Sequence, residues 1–180
     1  SIGSKNSDNL CFTDLNNDGY DDLLVGKLTG NIEYWIRNTE SVSYTLSTAN
    51  FGGITTDFSP SPAVIDFDKD GIKDLITADN SGKIYLFKNL PEIIKNNTAT
   101  RDTLSINPNQ YTTNKYTPTS FTPALTITDL DANNKQEIYL GGAAGGITAF
   151  SDINYNDISA NGKDPHLKIY PNPTFNNIFT

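Results

Sequence analysis

The stretch Pro62-Ala63-Val64-Ile65-Asp66-Phe67-Asp68-Lys69-Asp70-Gly71-Ile72-Lys73-Asp74-Leu75-Ile76-Thr77-Ala78 decides the fold class. A short apolar run stands on each side of a nine-residue acidic loop. Both runs have strand length and β-branched content, and neither shows helical spacing. The same pattern recurs at Asp14-Leu-Asn16-Asn-Asp18-Gly19-Tyr20-Asp-Asp22 and at Asp129-Leu-Asp131-Ala-Asn133-Asn134-Lys135-Gln-Glu137. The loop starts lie 52 and 63 residues apart. A repeat with that period takes precedence over any local reading.

Strands are expected before the loops at Leu10–Thr13, Pro62–Ile65 and Pro123–Thr128. They are expected after them at Leu23–Gly26, Leu75–Ala78 and Ile138–Gly141. Gly-bearing turns (Thr29-Gly30, Ser81-Gly82, Gly145-Gly146) lead to third strands at Asn31–Arg37, Lys83–Lys88 and Gly146–Phe150. An outer fourth strand is expected within Ser41–Ala49 and within Ile93–Ile106, and no helix is expected. The fold class is therefore all-β, with blades of four-stranded antiparallel sheets from a β-propeller. Three repeats fall short of the usual four to eight blades, so the expectation is a fragment of a larger propeller, or blades that lean on a partner.

The chain has 180 residues and a formal charge of −8. Such acidity argues against tracking a nucleic-acid backbone or an anionic membrane surface. No apolar run has the length of a membrane span. A single cysteine (Cys11) excludes an internal disulfide and a Cys-based zinc site, and a single histidine (His166) argues against a His-based triad or metal chemistry through imidazoles. Cys11 reads as a small apolar strand residue, and His166 as solvated.

Ten of the 21 acidic residues occupy alternating positions of the three loops. Oxygen ligands at alternating positions suit a hard cation, and their number suits Ca²⁺ better than Mg²⁺. Side-chain ligands are expected from Asp14, Asn16, Asp18 and Asp22, from Asp66, Asp68, Asp70 and Asp74, and from Asp129, Asp131, Asn133 and Glu137. The seventh position (Tyr20, Ile72, Lys135) would offer a backbone carbonyl. Gly19 and Gly71 fill the sixth position, where the chain needs positive φ. The third loop has Asn134 there and ends on Glu137, which makes it the weaker site. Position 12 is Val25, Thr77 and Leu140, so the bidentate Glu of an EF-hand is missing. Three Ca²⁺ would bring the formal charge from −8 to −2.

On these residues the chain resembles the FG-GAP/VCBS repeat family, the calcium-binding propeller blades also found in integrin α-subunit heads. The resemblance covers about residues 9–150 and implies blades over about 9–58, 59–118 and 119–160 of a propeller portion spanning 1–160. It also implies that calcium clamps the first hairpin of each blade and is not catalytic.

A linker is expected over 161–168. The stretch Lys168-Ile-Tyr170-Pro171-Asn172-Pro173-Thr174-Phe resembles the opening of the C-terminal sorting domain of Bacteroidetes type IX secretion substrates, placed at 169–180. That implies the type IX export machinery as a partner and a secreted or cell-surface location. Asp102-Thr103-Leu104 resembles the O-glycosylation tripeptide of the same bacteria, with Thr103 as acceptor. Trp35 with Tyr34 reads either as packing between blades or as a sugar-stacking pair.

Two functional readings follow from these resemblances. One is a non-catalytic adhesion module that binds an extracellular glycan or protein. The other is part of a secreted carbohydrate-active enzyme of the polysaccharide-lyase kind. The enzyme reading needs a carboxylate outside the loops, with Glu33, Glu40, Asp57 and Glu92 as candidates.

Overall fold

A computed structural model describes residues 8–81, 83–102, 124–129, 136–141 and 147–150. The described residues are mostly strands in three antiparallel sheets, with little helix.

The first sheet has the order β1 (Asn9–Thr13), β2 (Asp22–Gly26), β3 (Ile32–Arg37), β4 (Tyr44–Thr48). The second has β5 (Ser61–Ile65), β6 (Asp74–Ala78), β7 (Ile84–Phe87). The third has β8 (Ala124–Thr128), β9 (Glu137–Gly141), β10 (Ile147–Phe150). Each acidic loop joins the first two strands of its sheet, with register Thr13↔Asp22, Ile65↔Asp74 and Thr128↔Glu137 across its mouth. The nine strands expected around the loops are all present, and β4 lies within the outer-strand window of the first repeat.

The window expected to hold the second outer strand, Ile93–Ile106, opens on a helix; Asp102 N–H donates to Leu86 O of β7, and 103–106 lie outside the described residues. Residues 90–96 form a helix, α1 (Leu90–Asn96), and residues 97–102 are not strand. Asn89 caps α1 by accepting a hydrogen bond from the Glu92 N–H, Pro91 stands in its first turn, and Asn97 closes it in the left-handed region. Those are ordinary helix punctuation. With seven residues and two buried ones, Leu90 and Ile93, the helix is too short for its period to register in sequence. It packs on a 3₁₀ turn (Phe51–Gly53), where Ala99 N–H donates to Gly52 O and Gly52 N–H to Asn97 Oδ1.

The sheets stack face to face around two cores. One, between the first and second sheets, holds Leu24, Ile32, Tyr34, Phe51, Leu75, Phe87 and Leu90. The other, between the second and third, holds Ile76, Ile84, Leu86, Ile138 and Leu140. β2 and β6 are buried along their whole length. That is why Leu23-Leu-Val and Leu75-Ile-Thr read as continuous runs rather than alternating ones. Each fully buried Leu, Ile or Phe stabilises the fold by about 1.5–3 kcal/mol.

Gly26 ends β2 against the residue that leads into the second sheet, and a Cβ there would sit 1.7 Å from Pro60 O. Backbone atoms cannot yield as a side-chain tip can. Gly26→Ala is therefore expected to destabilise the protein by about 3 kcal/mol. Gly53→Ala meets nothing within 4 Å and carries only the cost of its φ of 65°. Denaturant melts of the two variants check the ranking.

Candidate metal centre

The second loop is the most complete. Asp66 follows β5, and its Oδ2 accepts the Gly71 N–H at 2.9 Å. Asp68 Oδ1 accepts the Asp70 N–H (3.3 Å), and Asp70 Oδ1 accepts the Ile72 N–H (2.8 Å). Lys69 and Gly71 take positive φ of 61° and 87°, which turns the loop sharply enough for these contacts. The first loop is built alike. Asp14 accepts from Asp18 N–H and Gly19 N–H, Asn16 from Asp18 N–H, and Asp18 from Tyr20 N–H. Asn17 and Gly19 have φ of 59° and 87°. The residue types at alternating positions thus fold the loop by Asx turns even before any ligand is considered.

The ninth position differs from the rest because it is buried. Asp22 is 0% exposed and Asp74 2%. Asp22 Oδ2 accepts from Leu15 N–H (3.4 Å) and the Tyr34 hydroxyl (3.0 Å), and Oδ1 from Arg37 N–H (2.9 Å). Asp74 Oδ2 accepts from Phe67 N–H (3.2 Å), and Oδ1 from Asn89 N–H (3.0 Å). Burial pushes the Asp74 carboxyl up; the two N–H groups oppose that, and the charges of Asp68 and Asp70 add to it. Burial, then the charge and hydrogen bond of Asp22, push the Tyr34 hydroxyl well above its ordinary range.

One oxygen each from Asp66, Asp68 and Asp74 lies within 4.8 Å of the others. Oxygens that share a Ca²⁺ at about 2.3–2.6 Å cannot be more than about 5 Å apart. The trio fits that limit. Asp66 Oδ1 is buried without a hydrogen-bond partner, which is costly for a carboxylate that nothing balances. The donor set and this orphaned oxygen fit a hard dication. Lys88 Nζ stands 2.7 Å from Asp68 Oδ2 at the edge of the group.

Not every expected ligand is drawn in. Asp70 is exposed and outside that trio, and Tyr20 and Ile72 are 39% and 37% exposed. Among the described residues the acids of the first loop make no such trio, because Asn16 stands at its third position. In the third loop Asp129 and the buried Glu137 flank the β8–β9 mouth, while Asp131, Asn133 and Lys135 lie outside the described residues. So do Thr103, His166, and Tyr170, Pro171, Asn172 and Pro173.

Tyr34 and Trp35 are on opposite faces of β3, so they are not one stacking pair. Tyr34 is the packing residue, edge-on to Phe51 at 5.5 Å, whereas Trp35 is half-buried and gives its indole N–H to Glu33. Of the carboxylates outside the loops, Asp57 pairs with Lys83 (2.7 Å) and Glu92 with Lys95 (3.4 Å). Cys11 is half-buried and packs against the first core, and burial pushes its thiol up.

Two residue sets carry weight that the loop pattern alone did not reveal. Leu15 and Phe67, at the second loop position, are buried at 6% and 8% and anchor each loop to the sheets. Their signal was an apolar residue inside an otherwise polar stretch, repeated at Leu130. Asp79, 0% exposed, accepts from Ser81 N–H, Ser81 Oγ, Lys83 N–H, Asp57 N–H and the Tyr85 hydroxyl. It closes the β6–β7 turn and fastens it to the preceding connection. Its signal was the Asp-Asn-Ser-Gly turn at 79–82.

Residues 14–77 match a family model described as an FG-GAP-like repeat. The match runs from the first residue of the first loop into β6 and so includes both fully described loops. Comparison with curated proteins and with solved structures gave no match.

Tyr34→Phe removes a buried donor to Asp22 and leaves the packing surface intact. The expected cost is about 1–3 kcal/mol, since a buried carboxylate loses a hydrogen bond. Chemical denaturation of the variant measures it. The corresponding residue of the second sheet is Leu86, where no such bond exists to lose.

Proposed function

We propose that this chain is a calcium-stabilised, propeller-like binding module of a secreted or cell-surface protein, and that it is not itself an enzyme. The observation that carries the reading is the convergence of Asp66, Asp68 and Asp74 within 4.8 Å, with the buried Asp66 Oδ1 unpartnered. Asp66, Asp68 and Asp74 would hold the ion in the second loop, with Asp70 and the Ile72 carbonyl drawn in from its rim. Asp14, Asn16, Asp18 and Asp22 would do so in the first. Bound Ca²⁺ supplies positive charge that offsets the carboxylates at the loop mouth. The protein's own contribution is to hold the ninth-position acid still through backbone N–H donors.

The FG-GAP-like match over 14–77 supports a β-propeller-like module of a kind commonly found outside the cell. A solvent-facing rim of loops on stacked sheets suits adhesion to an extracellular glycan or protein. The Tyr170-Pro-Asn-Pro173 stretch supports delivery by the type IX route, with the outer-membrane export machinery as partner.

Saturating calcium is expected to raise the melting temperature by about 5–10 °C for each occupied site, from about 2.7 kcal/mol per site at a hundredfold excess over Kd. Asp66→Asn with Asp14→Asn should abolish most of that increment, and Mg²⁺ should not replace it. A melting curve indifferent to calcium and chelator overturns the metal reading. For export, replacing Tyr170–Pro173 by alanines in the full-length protein should leave it in the periplasm; unimpaired release would end the sorting proposal.

A further inference from the structure

Lys88 stands beside the metal centre, and the calcium reading gives it no role. Its Nζ is 2.7 Å from Asp68 Oδ2 and 4.0 Å from Asp102 Oδ2; the three side chains are 31%, 18% and 23% exposed. The backbone holds all three in place. Lys88 directly follows β7, and the next N–H, that of Asn89, donates to Asp74 Oδ1 in the same acidic trio. Asp102 N–H donates to Leu86 O of β7. Asp68 Oδ1 accepts from the Asp70 N–H, so it is the other oxygen that meets the ammonium.

The two fully described loops differ at this point in a matched way. The register pairs Leu23 with Trp35 and Leu75 with Phe87, so Lys88 of the second sheet corresponds to Ile36 of the first. The third loop position is Asp68 in the one repeat and Asn16 in the other. The added carboxylate thus comes with an added cation in the same repeat. Asn16 brings its own donor, through Nδ2 to Asp18 Oδ2 at 3.0 Å. An ionised carboxylate has no donor to offer, and Lys88 supplies one from the end of the third strand. A dication held by Asp66, Asp68 and Asp74 would then share a carboxylate with an ammonium. Like charges on one carboxylate repel, and at part-buried positions water screens them incompletely.

We propose that Lys88 sets the calcium affinity of the second loop: it is a tethered cation that competes with the ion for Asp68 and passes to Asp102 when the ion takes that carboxylate. The proposal rests on the calcium reading of this loop and adds its regulation. Lys88 balances the acids when calcium is scarce and yields when calcium is abundant. With Asp102 already 4.0 Å away, the ammonium changes carboxylates without losing an acidic partner. The loop with Asp at its third position is therefore held to a weaker affinity than its carboxylates alone would give.

The test is a calcium titration of the 180-residue chain carrying Asp14→Asn, which silences the first loop. The binding lost on adding Asp66→Asn is the second loop's share. Lys88→Met keeps the aliphatic stem and removes the charge. It should tighten that binding about tenfold, as one charge fewer beside a dication implies. It should also lower the melting temperature in chelator, because Asp68 loses its partner. Lys88→Gln should act in the same direction, and Lys88→Arg should keep the original affinity. Asp102→Asn should weaken calcium binding in the parent chain and change it far less in the Lys88→Met chain. Circular dichroism checks that each variant is folded. Unchanged calcium affinity in both neutral variants, with melting lowered equally in calcium and in chelator, makes Lys88 a structural ion pair and overturns the proposal while the calcium reading stands. An Asp102→Asn effect of equal size in both chains overturns the exchange. If no calcium binding is sensitive to Asp66→Asn, the calcium reading itself falls and this proposal with it.

Discussion

A buried carboxylate at the start of each second strand holds the rest of the structure in place. Asp22 and Asp74 sit where loop, second strand and the far end of the third strand meet. Each takes an N–H from the second residue of its own loop and another from Arg37, the last residue of β3, or Asn89, two residues past β7. A buried negative charge is tolerable only when donors are aimed at it, and charge-assisted bonds of this kind are roughly twice as strong as neutral ones. The carboxylate therefore ties three segments of chain to one point. The two sheets solve the problem unequally: Tyr34 adds a hydroxyl to Asp22, while the corresponding residue by Asp74 is Leu86. Burial pushes the Asp74 carboxyl up, and the Asn89 and Phe67 N–H groups oppose it.

With the loops held there, stacking becomes a matter of alternation. A central strand flanked by partners and covered on both faces is buried at every residue, as β6 is, with Asp74 and Thr77 as its polar members. Its odd and even residues then belong to different cores, Leu75 to one and Ile76 to the other. Close approach needs an absent side chain in one place, Gly26 against Pro60. Polar links sit at the same level, where Asn9 Nδ2 donates to Ser59 O and Pro60 O and Leu125 N–H donates to Ser61 Oγ. Stacked sheets with acidic loops together at their ends make a rigid rim, on which binding residues are commonly carried.

The strands and loops were legible because each is written in a strong local code. Period and composition gave the strands their bounds to within a residue or two, and Asx-turn residues with Gly19 and Gly71 announced the loop geometry, confirmed by φ of 87° at both. Helix α1 was not legible. It overlaps the start of the window expected for the second repeat's outer strand, and its reason is tertiary: Leu90 and Ile93 pack beside Phe51 in the first core. Asp-Asn-Ser-Gly announced the turn at Asp79, but nothing in that stretch says that the side chain will be sealed from water.

The sequence by itself determined the all-β class, the sheet hairpins and which carboxylates share a loop, because these follow from spacing along one chain. Only the tertiary structure decided which oxygens meet. Asp66, Asp68 and Asp74 come within 4.8 Å while Asp70 stays at the rim, and Asp74 is held there by N–H groups of Phe67 in its own loop and Asn89 beyond β7. It also separated Tyr34 from Trp35, neighbours in sequence that serve opposite faces. Alternation in a strand assigns a side chain to a face, but the stacked partner determines whether that face becomes core or surface.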